Sequence, residues 1–194
     1  MKVGVLAFQG DVIEHIGATE AAAAKLKLQC SVCGVRTAKG LEGLDALIIP
    51  GGESTTMYKL CAREGMLDKM RGIRALFGTC AGAIMLARII HNEEKGQGTL
   101  GLMDIVVDRN AYGCQAESFE EDIGTALGKV HAVFIRAPRI RSVGEGVEVL
   151  ASRGREILAC EQKSGDKYYM AACFHPELTT SVFHERLLVA VRRA

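Results

Sequence analysis

The sequence predicts an α/β fold, a doubly wound and mainly parallel sheet with antiparallel additions. Three observations predict it. Short continuous apolar runs alternate with helical patterns through the first half of the chain. Each run ends in glycine or a polar turn, the punctuation of strand-to-helix crossovers. The second half instead carries closely spaced strand-like segments, which point to antiparallel additions.

Each element follows from its local pattern. Residues 3–8 form an apolar strand, and Gln9-Gly10 turns it into a helix. Asp11 and Glu14 are placed to cap that helix, with Val12, Ile13, Ile16 and Ala23 as its apolar face. Residues 28–35 read as the next strand. Within 45–50, Ala46-Leu47-Ile48-Ile49 is continuous enough for a strand buried on both faces. Gly51-Gly52 breaks it, and 54–64 reads as a helix. Ala75-Leu76-Phe77 is a fourth strand that leads through Gly78-Thr79-Cys80-Ala81-Gly82 into a helix over Ile84-Met85-Leu86-Ala87. Further strands are expected over 105–107, 133–135, 147–151, 157–160 and 168–174. A closing helix from about Thr180 would bury Phe183, Leu187 and Ala190, with Arg192-Arg193 favourable in its last turn. There is no internal repeat or low-complexity linker, so one domain over 1–194 is expected.

Composition narrows the function. The chain has 24 Lys+Arg against 23 Asp+Glu, a net charge of +1, with no long run of one sign. That balance excludes the basic stripe of a general nucleic-acid binder. No apolar run approaches the ~20 residues of a membrane span, and no secretory leader pattern opens the chain. A cytoplasmic protein with no membrane contact is expected. The seven cysteines are expected to be free thiols. Cys30-Ser31-Val32-Cys33 is nominally a metal or redox spacing, but in a strand residues three apart face opposite sides, and no second such pair exists for zinc.

Chemistry concentrates at three strand ends. Gly78-x-Cys80-x-Gly82, between a strand and a helix, is the cysteine version of a nucleophile elbow, a turn too sharp for side chains at its flanking glycines. Phe174-His175-Pro176-Glu177 follows another strand. The proline favours an extended His175, so Glu177 faces the same way roughly 6.5 Å along the chain and can hold the rear nitrogen of the imidazole. Pro50-Gly51-Gly52-Glu53-Ser54 ends a third strand, where two glycines let main-chain N–H groups approach a substrate oxygen. Read singly, these are equally a buried cysteine at a turn, a surface His–Glu pair and a helix entry. Their occurrence together favours cysteine-nucleophile chemistry.

Together these segments resemble the class I (triad) glutamine amidotransferases, and more closely the glutaminase subunit family of pyridoxal 5'-phosphate synthase, the PdxT/SNO family. The resemblance rests on Gly4 through Asp11 with Glu14-His15, Pro50-Gly51-Gly52-Glu53-Ser54-Thr55-Thr56-Met57 and Phe77 through Gly82. It continues in Arg109-Asn110-Ala111-Tyr112-Gly113 with Gln115, Ser118-Phe119-Glu120, Phe134-Ile135-Arg136-Ala137-Pro138 and Phe174 through Thr179. It implies a flavodoxin-like class I glutamine amidotransferase fold and hydrolysis of L-glutamine, with ammonia passed to a barrel-shaped synthase subunit of the PdxS/SNZ type. Cys80 would be the nucleophile, His175 the acid/base and Glu177 its orienter, with Gly52 and Ala81 forming the oxyanion hole. The glutamine site would use Gly52, Glu53, Ser54, Arg109, Ile135 and Arg136. An arginine is in any case the natural partner for an amino acid's α-carboxylate. Gln9, His15 and Gly51 are candidates for a partner-operated switch, and neither cofactor nor metal is implied. Cys114 and the 180–183 stretch depart from the family pattern.

Other readings carry less. The glutaminase subunit of imidazole glycerol phosphate synthase typically has an Asn-Tyr-Gly-type signature where Gln9-Gly10-Asp11 stands. Peptidases of the DJ-1 superfamily typically carry histidine directly after the cysteine, the place of Ala81. A γ-glutamyl hydrolase would more often be secreted. A non-catalytic binding subunit would not need Cys80, His175 and Glu177 intact.

Overall fold

A computed structural model describes residues 1–109 and 118–193. The first half alternates as expected: β1 (Lys2–Leu6), α1 (Val12–Lys25), β2 (Ser31–Val35), β3 (Ala46–Ile49), α2 (Ser54–Arg63), α3 (Leu67–Gly72), β4 (Ala75–Thr79) and α4 (Ala81–Leu86). The remainder is strand-rich: β5 (Ala87–His91), β6 (Met103–Asp108), β7 (Phe119–Thr125), β8 (Gly128–Phe134), β9 (Arg139–Val143), β10 (Val147–Arg153), β11 (Glu156–Ser164) and β12 (Lys167–Ala172). A 3-10 turn at Pro176–Leu178 and α5 (Val182–Arg193) close it.

One twelve-stranded sheet runs β2-β1-β3-β4-β12-β11-β10-β7-β8, with β5, β6 and β9 branching from it. The first five are parallel, in the flavodoxin-like order with its switch point between β1 and β3. The strands β11, β10, β7 and β8 continue it antiparallel. The expected fold class is therefore what forms.

Strand alternation divides the core into two layers. Leu6, Leu47, Ile49 and Leu76 face α2, α3 and α4, packing with Met57, Met66, Met70 and Met85. Val3, Val5, Ile48 and Phe77 face the other way, onto Ala22 and Ala23 of α1 and Phe183, Leu187 and Leu188 of α5. Cys33 packs on the first face and Cys30 on the second, so the pair cannot share a metal or a disulfide. All six described cysteines are free thiols. No helix among the described residues is long and apolar enough to cross a membrane.

Three local expectations are corrected. The Asp11 side chain makes no capping hydrogen bond to α1. Ile13 is 79% exposed, and the buried face of α1 is His15, Thr19, Ala22 and Ala23. The helix after the elbow stops at Leu86, because Ala87 already pairs with Met103 as a strand.

Candidate active site

The carboxyl ends of β1, β3, β4 and β12 converge, where open α/β sheets bind ligands. They line a cavity of about 660 Å³ whose walls include Cys80, His175, Gly51, Gly52, Ile135 and Arg136.

Cys80 sits at the elbow with φ +49°, left-handed backbone for an L-residue. Its N–H donates to Ala172 O at 2.9 Å, tying the turn to β12. Both flanking glycines are sterically required. A Cβ on Gly78 would lie 2.4 Å from the Gly82 carbonyl, and one on Gly82 would lie 1.9 Å from Ile49 O. The thiol itself reaches Ile135 O at 3.7 Å.

His175 faces Cys80 beside Gly51 on one side, and its Nδ1–H donates to Glu177 Oε1 at 2.8 Å on the other. Burial disfavours the charged ring, but the bonds to Cys80 and Glu177 outweigh it and push His175 up to about 10. Burial would likewise keep Glu177 neutral. Hydrogen bonds from His15 and His175 overcome it and bring the carboxyl down to about 2. The geometry is thus a buried ion pair held against a cysteine on a strained turn.

Sequence reasoning missed one close neighbour. Asp11 Oδ2 lies 3.1 Å from His175 Nδ1, so two carboxylates face one N–H. Asp11, His175 and Glu177 bring ligating atoms within 4.8 Å of one another. The Nδ1 proton is already taken by Glu177, with Asp11 beside it, so this group reads as a hydrogen-bonded set rather than a cation cage.

The Gly51-Gly52 turn lies directly on this pair. Gly52 has φ +138°, and a Cβ there would come within 3.1 Å of the Gln9 side chain. Gln9 Oε1 in turn accepts from Glu53 N–H at 2.9 Å, tying the turn to the end of β1. Glu53 caps α2, accepting from Thr55 N, Thr56 N and Thr56 Oγ1 at 3.0, 2.7 and 2.6 Å. Burial works against its charge, yet these bonds hold Glu53 at about 2.

The two candidate arginines differ. Arg109, 8% exposed, is engaged by Glu53 at 2.8 Å, Glu94 at 3.1 Å and Gln97 at 2.9 Å. Gln97 also donates to Ser54 Oγ. Arg136, with φ +46°, is exposed on the cavity wall and makes no ion pair with any described residue. Of the switch candidates, Gly51 is part of the glycine turn and Gln9 packs against it. His15 is fully buried and touches Glu177 rather than the turn. The segment Asn110-Ala111-Tyr112-Gly113-Cys114-Gln115 lies outside the described residues.

Comparison with known proteins adds the family. The SNO glutamine amidotransferase family matches residues 5–191. The chain belongs to that family. "Pyridoxal 5'-phosphate synthase subunit PdxT" of a Thermus thermophilus strain is 50% identical to this SNO-family chain, covering 91% of it and 90% of the relative. The protein of the same name from Niallia circulans is 46% identical over the whole of both chains. A solved structure described as a glutamine amidotransferase superposes with TM-score 0.83 at 47% identity, covering 98% of each chain.

Proposed function

We propose that this chain is the glutaminase subunit of a pyridoxal 5'-phosphate synthase. It hydrolyses L-glutamine to L-glutamate and ammonia and delivers the ammonia to a synthase subunit. The observation that carries the chemistry is Cys80, fixed at positive φ and lining one cavity wall with His175 of the buried His175–Glu177 pair. Family membership supports the reaction, and the relatives' shared name supports the assembly. The continuous sheet supports a single catalytic unit over 1–194.

The chemistry follows from the roles these groups can fill. His175 holds the proton that Cys80 has given up, and the Cys80 sulfur attacks the carboxamide carbon. The N–H groups of Gly52 and Ala81 stabilise the oxyanion, each contributing on the order of 3 kcal/mol when aimed at it. His175 returns the proton to the amide nitrogen, the C–N bond breaks, and ammonia leaves a γ-glutamyl thioester on Cys80. Water, giving its proton to His175, then attacks the thioester; glutamate departs and the thiol is restored. Glu177 keeps the Nδ1 proton in place throughout. Arg136, without a carboxylate partner among the described residues, binds the substrate's α-carboxylate, and Ile135 lines the same wall. Arg109 holds Glu53, and with Gln97 it positions Ser54, shaping the opposite side.

The partner is a barrel-shaped synthase subunit of the PdxS/SNZ type, in the cytoplasm, and it completes the oxyanion hole through the Gly51-Gly52 turn. A glycine pair reorients its shared peptide at little steric cost, and Gln9 supplies the tether. The test is glutamine turnover by the full chain with and without the co-purified synthase, in wild type and Gln9→Ala. The partner is expected to raise turnover roughly 10²–10³-fold, the weight of one oxyanion donor, and less so in Gln9→Ala. Full activity from the lone chain would contradict the switch. No turnover in either condition would contradict the glutaminase reading.

A further inference from the structure

Behind the catalytic pair lies a buried chain of hydrogen-bonding side chains contributed by α1, β4 and α5. His15 Nε2 stands 3.3 Å from Glu177 Oε1, the oxygen that holds His175, and 3.0 Å from Thr79 Oγ1. His15 Nδ1 stands 2.9 Å from His184 Nε2. Both histidines are fully buried, and His184 rests edge-on against Phe77.

The partners fix where the protons are. His184 Nδ1 is buried and has no hydrogen-bond partner among the described residues. A proton there would be an orphaned buried donor, the costlier arrangement, so the His184 proton sits on Nε2 and is donated to His15 Nδ1. That leaves the His15 proton on Nε2, where it faces Glu177 Oε1 and Thr79 Oγ1. Donors therefore run in one direction, from His184 through His15 to Glu177, which receives His175 Nδ1–H from its other side.

We propose that His15 is a positioning residue for the reaction, its Nε2–H clamping Glu177 from behind, with His184 fixing the His15 tautomer. The proposal rests on the triad reading of Cys80, His175 and Glu177. A carboxylate with only one donor can rotate away from the imidazole. One with donors on both flanks is held where His175 needs it, and outer partners of this kind typically contribute about 10–100-fold to activity. Glu177 Oε2, buried and without a hydrogen-bond partner among the described residues, leaves Oε1 to carry the contacts. The structure thereby gives His15 a task at the triad, away from the partner surface.

The test compares His15→Gln, whose terminal amide nitrogen can replace the Nε2–H donor, with His15→Leu, which fills space without donating. Both are assayed as the full chain with its synthase subunit. His15→Leu is expected to lower kcat about 10–100-fold at nearly unchanged KM, with His15→Gln retaining most of it. The independent readout is the NMR titration of His175 Cε1–H in the full chain. The groups facing His175 are Cys80, Asp11 and Glu177, and those facing His15 are Glu177, His184 and Thr79. Loss of the clamp should move the His175 titration to lower pH in His15→Leu and not in His15→Gln. Equal kcat and an unmoved titration in both variants would overturn the proposal. If His15→Leu does not fold, His184→Leu serves, since it frees the His15 tautomer while leaving Asp11 and Glu177 on His175. An unmoved titration and kcat there would equally overturn it. Activity surviving Cys80→Ala would instead mark failure of the triad reading itself.

Discussion

A Cβ added to Gly51 would lie 2.6 Å from Cε1 of His175. The glycine is therefore the surface against which the catalytic imidazole rests. Gly51→Ala should push the ring off Cys80 while sparing the fold, since Gly51 has no left-handed backbone to strain. The expected outcome is a kcat loss of at least tenfold, the scale of a small misplacement of a reacting group, with thermal melting little changed. Equal kcat in glycine and alanine forms would show that the ring can relax without cost.

Glu177→Gln keeps the size of the side chain but removes the charge that holds His175 Nδ1–H. Turnover should fall far more than glutamine affinity, by up to ~10⁴ if this carboxylate weighs as much as the triad aspartate of serine proteases. Steady-state kinetics with separate kcat and KM values check this. An unchanged kcat would remove Glu177 from the machinery.

Asp11 offers a contrast. Because it makes no cap to α1 and instead faces His175, Asp11→Ala should leave stability within about 0.5 kcal/mol, whereas losing a helix cap typically costs ~1 kcal/mol. Its kcat should fall severalfold at most, since Glu177 still holds the same nitrogen. Urea unfolding and kinetics on one preparation separate the two roles.

Acid stability should depend on His184. Burial, with His15 beside it, pushes His184 down to about 3 from an ordinary 6.5. On acidification the unfolded chain takes up this proton near 6.5 while the folded chain resists until about 3, so stability falls through that window. Each pH unit within it costs about 1.4 kcal/mol. His184→Leu should flatten the decline between pH 6 and 4, read by urea unfolding at a series of pH values. Decline of the same slope in both proteins would contradict it.

The parts of the site most legible in the sequence are those that sterics write into neighbouring residues. The elbow must be Gly-x-Cys-x-Gly because Gly82 abuts Ile49 O, and His175 and Glu177 are two apart on an extended segment. Parallel strands buried on both faces announce themselves by continuous apolar runs, as in Ala46–Ile49. What stayed hidden depends on distant chain. Asp11 reads as a helix cap until β12 brings His175 to it. The neutralisation of Arg109 needs Glu53, Glu94 and Gln97, which only the fold assembles. The strands β7 and β9 escaped because their half-exposed faces carry charge, as in Phe119–Thr125 and Arg139–Val143.

The central claim is that Cys80 is the residue to which glutamine becomes bonded. The direct measurement is peptide mapping by mass spectrometry after the full chain, with its synthase subunit, reacts with a glutamine-like electrophile. The account predicts a single adduct on Cys80, blocked by excess L-glutamine and absent from Cys80→Ala, which should also lack glutamine turnover. Labelling of any other cysteine in competition with glutamine, or hydrolysis surviving in Cys80→Ala, would contradict it.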